Sequence, residues 1–464
     1  MAKSFEMDMT KGPLLKKMIL YALPIVGINV IQLLFNAADV AVLGVFASDN
    51  AVAAVGATST IVNLFLGFFI GLSLSANVLV ARSMGANDPD GVKKFIGTSI
   101  LLSVIAGFIL LAVGVSLAKS MLMLINCPPA IIDMATTYLR IYFLGMPIIM
   151  LYNFSAAIMR AVGDTIRPFI FLVIGGVLNV LLNIFFIIIL KKDVEGVAIA
   201  TVASQGVAAF LSIMVLVKGT GYAKIEKKYL KLFKKELKEI LHIGIPTGLQ
   251  RSMFSLSNLV VSSAINSFGE VLVAGKTIGH QFEIIAHDAA DAFCMATLSF
   301  IGQNLGAKNF KRMWKVILVG TLLAGGVGII LGYTILLLGA PLSRLMTDSE
   351  EVIKYSCQYL KIMCGTVFIT GIMNSFANVL RGIGKPMTAM VGSLICTCGF
   401  RVLWVYTVFK AVGTVEVLYS VYPVSWTLCA IIFASIAIPA LKKLQKKHEE
   451  SLINNVDTEK VSIE

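Results

Sequence analysis

Four titratable side chains, His280, Glu283, His287 and Asp291, follow one another at spacings of three, four and four residues, with Asp288 adjacent. Helical neighbours three and four apart share a face, so these groups form one stripe. Inside an apolar segment such a stripe points to a proton relay or a cation-binding wall; a face solvated by a water-filled cavity is the competing reading. The residue types are also those of metal ligands. One helix supplies two or three ligands at most, however, and the other histidines are only His242 and His448, so no metal site is expected. A second constellation centres on Asp39, which Gln32 and Asn36 precede by seven and three residues on the same helical face. A carboxyl group stripped of hydration there suits reversible protonation, or, with partners, holds a sodium ion; a structural hydrogen bond to a neighbouring helix is the alternative. Asn179 and Asn183, four apart, together with Thr201, Ser204 and Gln205, would complete a polar pocket around it. Intramembrane asparagine serves equally well as glue between helices.

The elements that must position these groups are membrane spans. The chain has 464 residues, 57% of them hydrophobic and 14% charged, with a mean hydropathy of +0.87. Soluble domains carry roughly 25% charged residues, and a spanning helix needs about 20 apolar ones. Apolar runs between charged or Gly/Pro-rich breaks predict twelve helices near 17–45, 52–80, 95–117, 134–158, 166–190, 196–217, 240–267, 273–301, 315–338, 356–380, 387–409 and 415–440. The fold expected is an all-α integral membrane protein. Lys and Arg crowd the loops on one side, which places both termini in the cytoplasm by the positive-inside rule. That rule also accounts for the net charge of +13, so nucleic acid is not an expected partner.

Four regions follow: a six-helix lobe over 1–217, a basic linker over 218–239, a second six-helix lobe over 240–441 and a polar tail over 442–464. The Lys-rich linker is expected to form an amphipathic helix on the inner membrane surface, and the tail to be disordered. Pro147 and Pro246 are expected kinks, and Gly175-Gly176 and Gly325-Gly326 close-packing points. Arg251 and Arg401, both within apolar runs, have Glu283 and Glu416 as candidate partners. The seven cysteines are scattered; Cys396 and Cys398 match no zinc or redox spacing. The segment before the first span reads as no cleavable signal. No GxSxG, P-loop or HExxH pattern is present. No enzyme is therefore expected, and transport would draw on an ion gradient or a partner subunit.

The two lobes repeat. Leu23-Pro24 matches Ile245-Pro246 and Asn36 matches Asn258 at an offset of 222. Met84-Gly85-Ala86 matches Leu305-Gly306-Ala307, Tyr138-Leu139-Arg140 matches Tyr359-Leu360-Lys361, Asn153 matches Asn374 and Gly163 matches Gly384, all at 221. Copies with six helices each are parallel, and such pseudo-symmetric bundles place substrate at their interface or inside each lobe.

From residue 15 to 440 the chain resembles the multidrug and toxic compound extrusion (MATE) family. The resemblance rests on Ala22-Leu23-Pro24 followed by Asp39 and Gly44, on Gly71-Leu72-Ser73 leading to Ala81-Arg82-Ser83-Met84-Gly85-Ala86, and on Met159 to Thr165 with Pro168. In the second half it rests on Gly302-Gln303-Asn304-Leu305-Gly306-Ala307 and Leu380-Arg381-Gly382-Ile383-Gly384. It implies a monomeric antiporter in the cell membrane that expels organic cations or other amphipathic compounds in exchange for protons or sodium ions, with no further cofactor. Asp39 looks like the family's acid in the first helix, Asn179 and Thr201 like its neighbours, and Glu283 like the acid of the eighth helix. Asn183 stands where many members have Asp, and Thr370 where some do. These departures weaken the case for a tight sodium site and leave the coupling ion open, with protons the preferred reading because Asp39 and Glu283 can each titrate. A lipid-linked precursor flippase of the wider superfamily is the alternative, and an acidic rather than basic cavity argues against it.

Overall fold

The computed structural model describes residues 6–219 and 221–461, and among these no residue lies in a β-strand. Every expected segment is helical, and most run longer than the apolar stretch that announces them: α1 Leu14–Phe46, α2 Asp49–Gly85, α3 Pro89–Leu124, α6 Ile166–Ile184, α7 Val194–Lys218, α8 Lys234–Asn266, α9 Glu270–Gly306, α10 Phe310–Leu337 and α12 Glu350–Gly382. Among the described residues ten helices are long and apolar enough to cross a membrane, and a bent pair makes eleven; α8, which opens on a Lys- and Glu-rich turn, completes the twelve. Lipid is the solvent for the outward faces: Phe108, Leu181, Phe210, Leu322 and Ile330 are all exposed.

The bent pair is the fourth expected helix. It is two pieces, α4 Ile132–Leu144 and α5 Met146–Ala161, meeting at 50°. Pro147 occupies the first turn of α5, where its missing N–H costs nothing, and Gly145 separates the pieces. Around this bend packs a core of Leu43, Ile61, Leu110, Phe143, Ile149 and Ile187.

Three expectations fail, each for a local reason. The 218–239 linker forms no amphipathic helix. Lys218 ends α7, Lys227–Tyr229 is a single 3-10 turn and α8 starts at Lys234. The linker is instead fastened onto α3: Tyr229 donates its hydroxyl to Asp90 at 2.5 Å, Thr98 donates to the Lys231 carbonyl at 3.3 Å, and Lys93 pairs with Glu226 at 2.7 Å. Outside the membrane these pairings hold the Asp90 and Glu226 carboxyls below their ordinary range and the Lys93 and Lys94 ammoniums above theirs. Of the tail, the described residues 442–461 are helical, since α16 runs over Val415–Val461; residues 462–464 lie outside the described residues. After Pro439 α16 contains no helix breaker. Gln445 donates to Glu449 at 2.9 Å, and Trp314 donates to Gln445 at 3.0 Å. Finally, a Cβ at Gly326 would meet nothing, whereas Gly176 faces the Phe35 ring and Gly175 the Ser204 carbonyl.

The eleventh span is assembled from α13 Pro386–Ser393, α14 Phe400–Trp404 and α15 Lys410–Val412, joined through π turns over Leu394–Gly399 and Val405–Phe409. The chain divides into two compact units, one holding Ile19–Met84 and Asp88–Ser255, the other Leu256 onward with Met9–Met18 and Gly85–Asn87. The division lies inside α8 instead of at residue 240, because the first part of α8 packs on α2. Gly71 and Gly248 touch backbone to backbone, and Ser252 donates to the Leu64 carbonyl at 3.3 Å. Gly71→Leu is therefore expected to cost about 1–3 kcal/mol by overpacking and to lower the melting temperature in detergent. Gly44→Leu, at a glycine with open space, is expected to leave it unchanged.

Candidate functional site

Inside the first unit lies a cavity of about 720 Å³, walled by Gln32, Asn36 and Asp39 of α1, Thr58 and Asn63 of α2, Asn179 of α6 and Thr201, Ser204 and Gln205 of α7. The helical spacing that put Gln32, Asn36 and Asp39 on one face is what turns all three inward. Asn36 and Gln32 are exposed to this space and Asp39 is half-buried. Asp39 is the single carboxylate among the described lining residues.

A relay of amides stands behind it. Asn183, fully buried, donates its side-chain N–H to Asp39 and, at 3.4 Å, to the Asn179 oxygen. Asn179 donates to Thr201 at 3.4 Å, and Thr201 donates to the Val197 carbonyl at 2.9 Å. Asn183 is thus not a wall of the cavity but the group that orients its carboxylate. Its own oxygen is buried with no hydrogen-bond partner among the described residues, as is that of Gln205. An amide can donate to a carboxylate through nitrogen and accept from a carboxylic acid through oxygen, so this pair tolerates either protonation state of Asp39. The close approach of α1 to α6 depends on Gly176, where any side chain would strike Phe35.

Two aromatic side chains escaped the sequence reading. Tyr138 and Tyr142 of α4 line the cavity with rings stacked 6.2 Å apart at 19°. Tyrosine four residues from tyrosine on an apolar helix reads as core packing; only membership of Tyr138 in the repeat set it apart. Their faces offer what an organic cation prefers, a quadrupole with its negative side outward.

In the second unit the α9 stripe divides. Glu283 is 4% exposed and lies 2.8 Å from His280 Nδ1, with the Tyr359 hydroxyl donating to its carboxylate at 3.5 Å. His287 instead faces Asp288 at 3.3 Å, and Asp291 accepts from Asn374 at 3.5 Å. His287 thus stands between the two ends of the stripe, in electrostatic range of Glu283 as well as of Asp288 and Asp291. Among the described residues no three His, Cys, Asp or Glu side chains converge as a metal cage requires. Arg401 pairs with neither Glu283 nor Glu416. Its Nε donates to Ser425 at 3.1 Å, its Nη1 to Asn258 at 2.7 Å, and its guanidinium lies 4.5 Å from the Tyr422 ring centroid. Glu416 accepts from Gln358. Arg251 belongs to the first unit, beside Gly67. Thr370 is buried and donates to the Val367 carbonyl of its own helix at 2.6 Å.

Known proteins resemble this chain over most of its length. The MatE family model matches residues 24–185 and again 246–407. The probable multidrug resistance protein YpnP of Bacillus subtilis is 28% identical over 84% of this chain and 87% of its own. The multidrug export protein MepA of Staphylococcus aureus is 21% identical over 91% and 93%. Among solved structures, a MOP superfamily transporter from Pyrococcus furiosus superposes with a TM-score of 0.88 at 22% identity, covering 94% of this chain and 98% of that one. These structures share the two-lobed twelve-helix fold.

The cavity makes a direct claim about access. A cysteine introduced by Asn36→Cys is expected to react with a water-soluble methanethiosulfonate reagent about tenfold faster than one introduced by Asn183→Cys, since thiol reactivity follows exposure. Five of the seven native cysteines are buried, which keeps the background low. Equal rates at the two positions would mean that the cavity is not wet.

Proposed function

This chain belongs to the MatE family, and from that premise we propose that it is a secondary antiporter that exports organic cations or other amphipathic compounds, multidrug fashion, in exchange for protons. It is a multi-pass protein of the cell membrane. The observation that carries the reading is the lone carboxylate of Asp39 facing an aromatic-walled cavity within membrane-spanning helices. An intramembrane acid is costly and is a functional group by default.

The exchange follows from charge. With Asp39 ionised, the cavity carries one negative charge and attracts a cation. At about 4 Å and an effective dielectric near 20 the attraction is about 4 kcal/mol. Protonation removes it. Proton and organic cation therefore compete for one group, and alternating access between the two faces turns competition into exchange. Tyr138 and Tyr142 hold the apolar body of the substrate, and Asn183 keeps the carboxyl in place through both states. A single carboxylate backed by Asn183 gives a sodium ion one formal charge, which is why protons are favoured as the coupling ion. Glu283, with His280 and Tyr359, is a second protonatable group in the other unit. The proposal includes cytoplasmic termini, from the Lys and Arg asymmetry of the loops, and a monomer. A flippase would have to hold phosphates against the Asp39 charge, and the acidic cavity disfavours that reading.

The test uses proteoliposomes with an imposed pH gradient followed by an internal dye. Adding ethidium is expected to dissipate the gradient in wild type, with or without sodium. Asp39→Asn is expected to slow this by more than about tenfold, equivalent to over about 1.4 kcal/mol. Loss confined to Glu283→Gln would move coupling to the second unit. No response in wild type with either ion would sink the antiport reading.

A further inference from the structure

The duplicated halves do not carry the same charge. Both matched segments are related by an offset of 222 at their two ends. At this offset Asn36 corresponds to Asn258, Asp39 to Val261, and Asn179-Val180-Leu181 to Arg401-Val402-Leu403. The structure explains why the register moves from 221 near Gly384 to 222 at Arg401: the π turn over Leu394–Gly399 lies between them, and a π turn absorbs one extra residue. The polar scaffold is therefore kept. In the first unit Asn179 joins Thr201 of the following helix; in the second, Arg401 joins Ser425 of the following helix and Asn258 of the helix that matches α1. The charge is inverted. Where the first unit has the Asp39 carboxylate, the second has the apolar, fully buried Val261, and where the first has a neutral amide, the second has a guanidinium that is 1% exposed.

That guanidinium has no carboxylate among its partners. A hydroxyl, an amide oxygen and an aromatic face receive it, and its Nη2 makes no hydrogen bond among the described residues. The two oxygens that a small cation would need here, Asn258 Oδ1 and Ser425 Oγ, already accept from Arg401. Tyr422 lies in electrostatic range of both Arg401 and Glu283.

We propose that Arg401 is a specificity-determining residue: it fills the second unit's counterpart of the Asp39 chamber with a resident cation, so that exchangeable cations bind in the first unit alone. The inference rests on the reading of Asp39 as a cation site. Its physical basis is that a buried guanidinium cannot shed its charge, unlike lysine, and repels a second cation across a low-dielectric interior.

The experiment measures binding of sodium-22 and of radiolabelled tetraphenylphosphonium to the purified full-length protein in detergent at alkaline pH. Wild type, Asp39→Asn, Val261→Asp and the double variant Val261→Asp/Arg401→Asn are compared. The double variant gives the second unit the residue types that the first has at 39 and 179. It is expected to bind about one more cation per chain than wild type, whereas Val261→Asp alone gains none because the new carboxylate pairs with Arg401. A folded double variant with no gain overturns the proposal, and so does a gain in Val261→Asp alone. Should the double variant not fold, Val261→Asp decides: a cation bound beyond the wild-type number overturns the proposal, and binding at the wild-type number upholds it. Cation binding that survives in Asp39→Asn also overturns it. Wild type that binds neither probe contradicts the antiport reading instead, and the comparison of the two Val261 variants still judges Arg401.

Discussion

The hydrogen bond from Asn183 to Asp39 is the contact that fixes the geometry of the first unit's cavity acid. A carboxylate placed among membrane-spanning helices loses most of its hydration, and the bilayer offers nothing in return. Two features make it tenable. The cavity supplies space on one side, and the buried amide supplies a donor on the other. Remove the amide and the carboxylate is free to swing; remove the cavity and it has no reason to ionise. The rest follows outward from this pair. Asn179 and Thr201 hold Asn183, and Gly176 lets α1 approach α6 closely enough for the bond to form.

The repeat, visible as an offset of 221 to 222 residues, gives two units with one polar scaffold and different charges on it. Asn36 and Asn258 occupy matching positions; one opens onto a cavity, and the other is tied to a guanidinium. Acid was retained in both halves but on different helices, α1 in one and α9 in the other. Where Asp39 faces space and an amide, Glu283 is enclosed by His280 and Tyr359. The two carboxylates therefore have different surroundings: Asp39 borders a cavity of about 720 Å³, while Glu283 is 4% exposed and enclosed by side chains.

Much of this was legible in the sequence because lipid imposes strong rules. Apolar runs gave the spans, and polar residues within them were conspicuous, so Gln32, Asn36, Asp39, Asn179, Thr201, Ser204 and Gln205 are found on one cavity. What escaped depends on tertiary contact. Tyr138 and Tyr142 carry the same signature as core residues, and only the bend at Gly145 decides which way they face. Asn183 was read as lining when it stands behind the wall. The α9 stripe has perfect helical spacing, yet His287 turns to its neighbour Asp288 and leaves Glu283 to His280. The spacing of Arg401 points to a carboxylate partner, yet among the described residues Ser425 and Asn258 receive it instead. The linker and tail were misjudged because charge alone does not decide between solvated coil, amphipathic helix and a segment pinned by Tyr229 to Asp90.

The central claim is that a proton and an organic cation contend for Asp39. The most direct measurement is proton release on substrate binding, followed with a pH indicator in weakly buffered detergent solution at mildly acidic pH. The account predicts that tetraphenylphosphonium displaces about one proton per chain from wild type, since the two occupants cannot share one charge, and none from Asp39→Asn. Binding of the cation to wild type without proton release, or equal release from Asp39→Asn, would contradict it.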